Sequence, residues 1–469
     1  MKDSLSNDTI VAPATVPGTG ALSIVRISGP KALEVCDNVL SRKISSLGGY
    51  SLVYSSIDKP DGTPLDSVMV SVFRAPHSYT GEDSAEICCH ASKYIVSELI
   101  SLLCNAGARM AGPGEFTKRA FLNGKIDLSQ AEAVADVIAS SSEASHRVAT
   151  NQLRGGYSNE LEGLREELVE ILSKLELELD FSEEDVEFAD RNVLRSLIQK
   201  TCSHVEKFIS SFRQGNAIKN GIPVAIAGSV NSGKSTLLNA LLNEDRAIVS
   251  SCAGTTRDTI EETITLNGLD FRFIDTAGLR ATDDEVESEG IRRSHSKIKS
   301  AEMVLIVIDS TIGEDRIIDE IRELVQEVDI DTQKALILLN KSDEKSVNIN
   351  VSNINKVVSS IEKEINILSI SAKEGQGIDK LKNTLAEAFS DINSASFSSL
   401  VTNSRHLEAF KTADKFLKAA QDGLDSNSPT DLIAQDIREA IEAISSITGR
   451  TITPDTILHN IFAAHCIGK

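Results

Sequence analysis

The chain has 469 residues, more than one hydrophobic core organises, so about two to four domains are expected. A formal charge of -21 and an isoelectric point near 4.9 argue against non-specific coating of nucleic acid or of an anionic membrane, while leaving room for a local basic pocket for a folded RNA. Seven cysteines without a C-x-x-C pair read as reduced thiols, not as a disulfide framework or zinc site, and with no signal core and no membrane span the expected location is cytoplasmic.

Residues 1–122 are rich in short β-like runs, at 20–29, 67–73 and 85–90, with helical stretches at 30–40 and 93–106. Strands mixed with two helices predict an α+β domain. From about Leu128 the apolar spacing becomes i, i+3, i+4, i+7, which predicts long amphipathic helices over 131–153, 160–180 and 191–212, with an acidic break at 182–185. Residues 214–221 read as a polar linker. An α/β region of alternating strands and helices then runs over 221–390, so its sheet should be mostly parallel. A Ser/Asn-rich stretch at 391–399 reads as a second linker, and helical periodicity resumes at 405–424, 430–447 and 454–464. The simplest arrangement is multidomain: an α+β domain (1–122), and an all-α helical domain built from 123–213 and 400–469 with the α/β domain inserted.

The chemistry sits in the inserted segment. The apolar run Pro223-Val224-Ala225-Ile226-Ala227 leads into Gly228-Ser229-Val230-Asn231-Ser232-Gly233-Lys234-Ser235, which fits G-x-x-x-x-G-K-[ST], and residues 237–242 read as the helix that must follow. Such a loop wraps phosphates with its N–H groups and the helix N-terminus. Residues Asn231 to Thr236 are therefore candidate phosphate contacts, with Lys234 reaching the β- and γ-phosphates and Ser235 giving an oxygen to Mg²⁺. Asp275-Thr276-Ala277-Gly278 is a D-x-x-G box, with Asp275 aimed at Mg²⁺ and the Gly278 N–H at a γ-phosphate. Thr256, in Gly254-Thr255-Thr256-Arg257-Asp258, is the candidate second Mg²⁺ ligand. Asn340-Lys341-Ser342-Asp343 is an N-K-x-D box, and the Asp343 carboxylate can accept both guanine N1–H and N2–H₂, neither of which adenine offers. Ser371-Ala372-Lys373 would receive guanine O6 on backbone N–H groups. Five boxes in register predict a Ras-like P-loop domain that binds GTP. Leu279 stands where Ras-like switches place a water-orienting glutamine, so catalysis must draw on another group, and the acidic stretch 283–289 offers carboxylates.

These boxes, together with Ala253-Gly254-Thr255-Thr256-Arg257-Asp258, Tyr79-Thr80-Gly81-Glu82-Asp83, Pro113-Gly114-Glu115-Phe116-Thr117 and the ending Cys466-Ile467-Gly468-Lys469, make the whole chain resemble the MnmE (TrmE) family of tRNA-modifying GTPases. The resemblance implies GTP hydrolysis activated by K⁺. Asn231 matches the ion-binding asparagine, and Ser250, Cys252 and Thr255 match the loop that completes the K⁺ shell. Ser251, Ala253 and Gly254 of that loop join the GTP site. With Lys234 and Asn231, Glu287 becomes catalytic, as the carboxylate that orients water. The N-terminal domain then resembles a folate-binding, dimer-forming domain. Arg26, Glu86 and Lys125 fall on contacts to 5-formyl- or 5,10-methylene-tetrahydrofolate, with Lys469 at the C-terminus and Cys466 near the same site. The implied partners are a second copy (a homodimer), the FAD-containing MnmG (GidA) in a heterotetramer, and tRNA. The implied product carries an aminomethyl-type group, often carboxymethylaminomethyl, at C5 of the wobble uridine.

Two other functions fit fewer of the residues. A ribosome-assembly GTPase of the Era or EngA kind predicts a basic C-terminal RNA-binding module or a second P-loop domain, whereas 400–469 is neutral to acidic and helical. A folate-dependent aminomethyl transferase of the glycine-cleavage type would make the P-loop domain only regulatory.

Overall fold

In the computed structural model of the chain, the described residues are 8–180, 191–243, 262–274, 298–299, 301–326, 328–329, 333–344, 354, 365–391, 399–450 and 468. They divide into two compact units, one drawn from Met1–Ala139, Ala149–Lys207 and Arg405–Lys469, the other from Ser140–Val148 and Phe208–Ser404.

The N-terminal part of the first unit is a six-stranded sheet. Its strands are β1 (Ile10–Pro13), β2 (Leu22–Ser28), β3 (Ser51–Asp58), β4 (Pro64–Phe73), β5 (Ser84–His90) and β6 (Arg109–Met110), in the order β3-β4-β5-β2-β1-β6, with β6 joining in parallel. Alternation along β4 buries Val68, Val70 and Val72, and register aligns them with Val53, Ala85 and Ile87 on one face. Helices α1 (Ala32–Asp37) and α2 (Lys93–Asn105) contribute Leu33, Val35, Cys36, Leu99 and Leu103 to the same core. The opposite face carries Arg26 and Glu86 and leaves Leu52 and Tyr54 63 % and 62 % exposed. The helix expected over 30–40 is shorter, because the Asp37 carboxylate accepts from the Ile44 and Ser45 N–H groups and Leu40 returns to bridge Ile57. Helix α3 (Glu115–Leu122) and strands β1, β3 and β6 lie outside the expected elements.

Four helices follow: α4 (Leu128–Ala139), α5 (Glu143–Leu153), α6 (Gly156–Asp180) and α7 (Arg191–Asn220). The single helix expected over 131–153 is thus broken, at Ser140-Ser141-Ser142. Serine hydroxyls compete for backbone groups. Here the Ser142 N–H donates to Ser145 Oγ and the Ser145 N–H to Ser142 Oγ, a reciprocal cap that starts a new helix. The linker expected over 214–221 is helical instead, since α7 runs to Asn220 and buries Ala217 and Ile218 in the second unit's core. Gly215 permits this packing, because a Cβ there would lie 2.2 Å from the Val401 carbonyl.

The second unit holds β7 (Ile222–Ala227), α8 (Lys234–Asn243), β8 (Glu262–Leu266), β9 (Leu269–Ile274), β10 (Met303–Asp309), α9 (Glu314–Gln326), β11 (Lys334–Asn340), β12 (Asn366–Ser369) and α10 (Ile378–Ala388). The sheet order is β12-β11-β10-β7-β9-β8, and only β8 is antiparallel to its neighbour. Its central strands β7 and β10 are buried and apolar almost end to end, as a sheet covered on both faces requires, whereas the edge strand β8 carries polar residues.

Helices α11 (Ser404–Asp425) and α12 (Thr430–Thr448) close the described chain. In the first unit they meet α4 around a buried ion cluster: Arg405 Nε donates to Glu132 Oε1 at 2.9 Å, and His406 Nε2 lies 2.7 Å from Glu132 Oε2 with its ring stacked on Tyr157. The helix expected over 454–464 lies outside the described residues.

Candidate functional site: a nucleotide cradle and a paired-charge face

The turn between β7 and α8 is shaped by positions that a side chain would spoil. At Gly228 a Cβ would sit 2.2 Å from the Val307 carbonyl, and at Gly233 it would sit 2.2 Å from Asn340 Nδ2. Both glycines and Asn231 have positive φ, the last at 66°, so the backbone folds back into a concave nest. Lys234 Nζ donates to the Gly228 and Ser229 carbonyls at 2.8 and 2.6 Å, which keeps the ammonium on the loop. Ser235 and Thr236 stand in the first turn of α8, where N–H groups have no intrahelical acceptor.

Asn340 ties this loop to the other end of the sheet. It is 2 % exposed. Its Nδ2 donates to the Ser232 carbonyl at 2.8 Å, and its Oδ1 accepts from the Ala372 N–H at 3.0 Å. One amide therefore fixes the phosphate loop against the Ser371-Ala372-Lys373 loop. Ser371 Oγ donates to Asp343 Oδ1 at 2.6 Å, and this hydrogen bond holds the Asp343 carboxyl below its ordinary range. Asp343 is solvent-facing and ionised, as a carboxylate that accepts two N–H groups must be. Of the predicted nucleotide residues, Asn231, Ser232, Gly233, Lys234, Ser235, Thr236, Asn340, Lys341, Asp343, Ser371, Ala372 and Lys373 all fall at the ends of β7, β11 and β12. Ser250, Ser251, Cys252, Ala253, Gly254, Thr255, Thr256, Asp275, Thr276, Ala277, Gly278 and Glu287 lie outside the described residues.

Sequence reading missed two residues here. Glu320 on α9 accepts from the Ser229 N–H at 3.1 Å. Asp309, at the end of β10, pairs with Lys341 Nζ at 2.5 Å. The only signal for Asp309 was a carboxylate closing an apolar strand.

In the N-terminal sheet, register places Arg26 opposite Glu86, and Arg26 Nη2 meets Glu86 Oε1 at 2.8 Å with the two side chains 20 % and 28 % exposed. The Arg26 guanidinium also lies 5.3 Å from the Tyr79 ring centroid and 5.7 Å from that of Phe116, and Nη1 donates to the Gly468 carbonyl. Lys125 reaches the same loop as Tyr79, donating to the Pro76 carbonyl at 2.9 Å. Beneath, buried Arg119 donates to Glu82, Glu115 and Asp8, which pins that loop. Arg26, Glu86 and Lys125 are thus joined through residues 76–82, with the partly exposed Tyr79 ring and the buried Phe116 ring against the Arg26 guanidinium. Lys469 and Cys466 lie outside the described residues.

Two family models match the chain: "GTP-binding protein TrmE N-terminus" over residues 9–125 and "MnmE helical domain" over residues 128–466. The chain belongs to the MnmE family. It is 47 % identical to the tRNA modification GTPase MnmE of Bacteroides thetaiotaomicron, over 99 % of this chain and 100 % of the relative. It is 46 % identical to the protein of that name from Porphyromonas gingivalis, over 99 % of each, and 46 % identical to that from Cytophaga hutchinsonii, over 98 % of each. Family membership thus extends over both the nucleotide cradle and the Arg26–Glu86 face.

Proposed function

We propose that this MnmE-family chain is a K⁺-activated GTP hydrolase that works with an FAD-containing partner of the MnmG (GidA) type. Together they install an aminomethyl-type group, such as carboxymethylaminomethyl, at C5 of the wobble uridine of certain tRNAs. The observation that carries the nucleotide part is Asn340, which joins a phosphate-binding loop to a guanine-reading loop in one rigid frame. Full-length similarity to relatives named tRNA modification GTPases supports the rest. Among the described residues, no helix is long and apolar enough to cross a membrane.

The cradle fits a nucleoside triphosphate with Mg²⁺. The Gly228 and Gly233 positions leave backbone where phosphate must approach, Lys234 supplies a positive charge that its present carbonyl partners can release, and Ser235 offers the hydroxyl for the metal. Thr256, with Asp275, completes the Mg²⁺ set. The left-handed Asn231 sits at the loop apex, suited to a K⁺ that it would share with Ser250, Cys252 and Thr255. A monovalent cation held by these residues would supply the charge that an arginine finger supplies elsewhere. Glu287 orients the attacking water, the task Leu279 cannot perform.

The Arg26–Glu86 face suits tetrahydrofolate as the one-carbon donor, with 5-formyl- and 5,10-methylene-tetrahydrofolate as the forms to test. Glu86 would accept from the pterin amino edge with its partner Arg26 at the same end of the ligand, Lys125 would attract the glutamate tail, and the partly exposed Tyr79 ring offers a stacking surface. Family resemblance assigns Lys469 to this site, with Cys466 as a further candidate. In this reading the chain acts as a cytoplasmic homodimer that assembles with its partner as a heterotetramer. Its domains are the folate domain (1–122), two helical halves (123–213 and 400–469) and an inserted G domain (221–390).

The test is reconstitution of the full chain with the FAD protein, tRNA, methylene-tetrahydrofolate and GTP, followed by mass spectrometry of the tRNA nucleosides. A modified wobble uridine that disappears with Lys234→Ala is the expected result. Equal modification without GTP, or GTP hydrolysis with no modified nucleoside, would overturn the reading.

A further inference from the structure

The guanine-reading segment contains a backbone kink that needs an anchor. Lys341 has φ 66°, a left-handed conformation that disfavours any residue with a Cβ. It stands between Asn340, locked on the strand, and Asp343, held by Ser371, so the kink sets the direction in which Asp343 leaves the sheet. What holds it comes from the neighbouring strand. Asp309 is in register with Asn340 across the parallel β10–β11 pair. Its Oδ2 accepts from Lys341 Nζ at 2.5 Å, and its Oδ1 accepts from the Thr311 N–H at 2.9 Å and the Thr311 hydroxyl at 2.7 Å. The carboxylate side chain is only 13 % exposed and has a donor on each oxygen, so it is a fixed post and not a mobile surface charge.

We propose that Asp309 is a positioning residue for base specificity: by clamping the Lys341 ammonium it holds the left-handed turn that aims Asp343 at the exocyclic amine of a guanine base. The assignment rests on the guanine-binding reading of Asp343. Asp309 does not touch the nucleotide; it acts through Lys341. The ionised form is the working one, because the hydrogen bonds from Lys341 and Thr311 outweigh the opposing effect of burial and lower its pKa.

The discriminating pair of ligands is GDP and IDP, since hypoxanthine differs from guanine only in lacking the 2-amino group that Asp343 would accept. In calorimetric titrations of the full chain, Asp309→Asn is expected to weaken GDP by about tenfold, the worth of one charge-assisted hydrogen bond, and to weaken IDP, which keeps N1–H, by clearly less, so the GDP/IDP preference falls. Lys341→Met removes the same clamp and should lower the ratio in the same way, which keeps the test open if Asp309→Asn folds poorly. A folded variant that loses GDP and IDP equally, or neither, overturns the assignment. A wild-type chain that does not prefer GDP to ADP would instead remove the guanine reading itself.

Discussion

Among the described residues, two six-stranded sheets carry the two candidate sites and build them by opposite means. In the second unit the cradle is made largely of backbone: glycines at positive φ, a helix N-terminus, and one buried amide that fastens two loops. In the first unit the Arg26–Glu86 face is made of side chains that stand 60 residues apart in the chain and meet only because β2 and β5 pair in the right register. A backbone site depends on local geometry and tolerates change around it. A side-chain site depends on register, where a one-residue slip would move Arg26 to the other face.

The largest expected effect sharpens the first half of that contrast. Asp343→Asn should reduce preference for GDP over ADP by about 10⁴-fold, because the carboxylate that accepts the guanine N–H groups is gone while the backbone cradle remains. Competition binding reads this directly. Retained discrimination would mean that guanine is read elsewhere.

A smaller effect lies in the helical part of the first unit. Burial disfavours the charged form of Glu132, and His406 and Arg405 more than compensate, so its pKa falls from 4.5 to about 2. A group whose folded pKa is depressed contributes stability that is present above its unfolded value and is lost as pH falls toward the folded one. The unfolding transition of this unit should therefore drop between about pH 4.5 and pH 2. Glu132→Gln should remove most of that pH dependence and cost about 3 kcal/mol at neutral pH, because Arg405 and His406 lose a buried counter-charge. Calorimetry across this range decides it, and an unchanged acid limb in the variant would contradict the assignment.

The smallest effect on stability belongs to the half-buried Arg26–Glu86 pair. Arg26→Met should change stability by no more than about 1 kcal/mol, as solvent-accessible ion pairs do, yet abolish binding of 5-formyl-tetrahydrofolate. A large loss of stability with folate binding intact would show that the pair is structural, and the two sheets would then carry one site instead of two.

The same contrast explains what the sequence disclosed. The G-x-x-x-x-G-K-S loop and N-K-x-D box were legible because their chemistry is contiguous and each follows an apolar strand. The parallel sheet followed from the alternation of strands and helices over 221–390. Arg26 and Glu86 carried no local signal and were reached only through family resemblance. Asp309, Tyr79 and Phe116 were passed over for a related reason: each acts through a contact made by tertiary pairing. Helix limits failed where side chains outweighed periodicity. Three serines cut the 131–153 helix, and buried Ala217 and Ile218 drew a polar segment into α7.

The most direct test of the account is steady-state GTP hydrolysis by the full chain in KCl and in NaCl at equal ionic strength, for the wild type and Glu287→Ala. The rate is expected to require K⁺ and to be lost in the variant while GDP affinity is retained. Equal rates in the two salts would contradict the role given to Asn231, and an unimpaired Glu287→Ala enzyme would contradict the one given to Glu287.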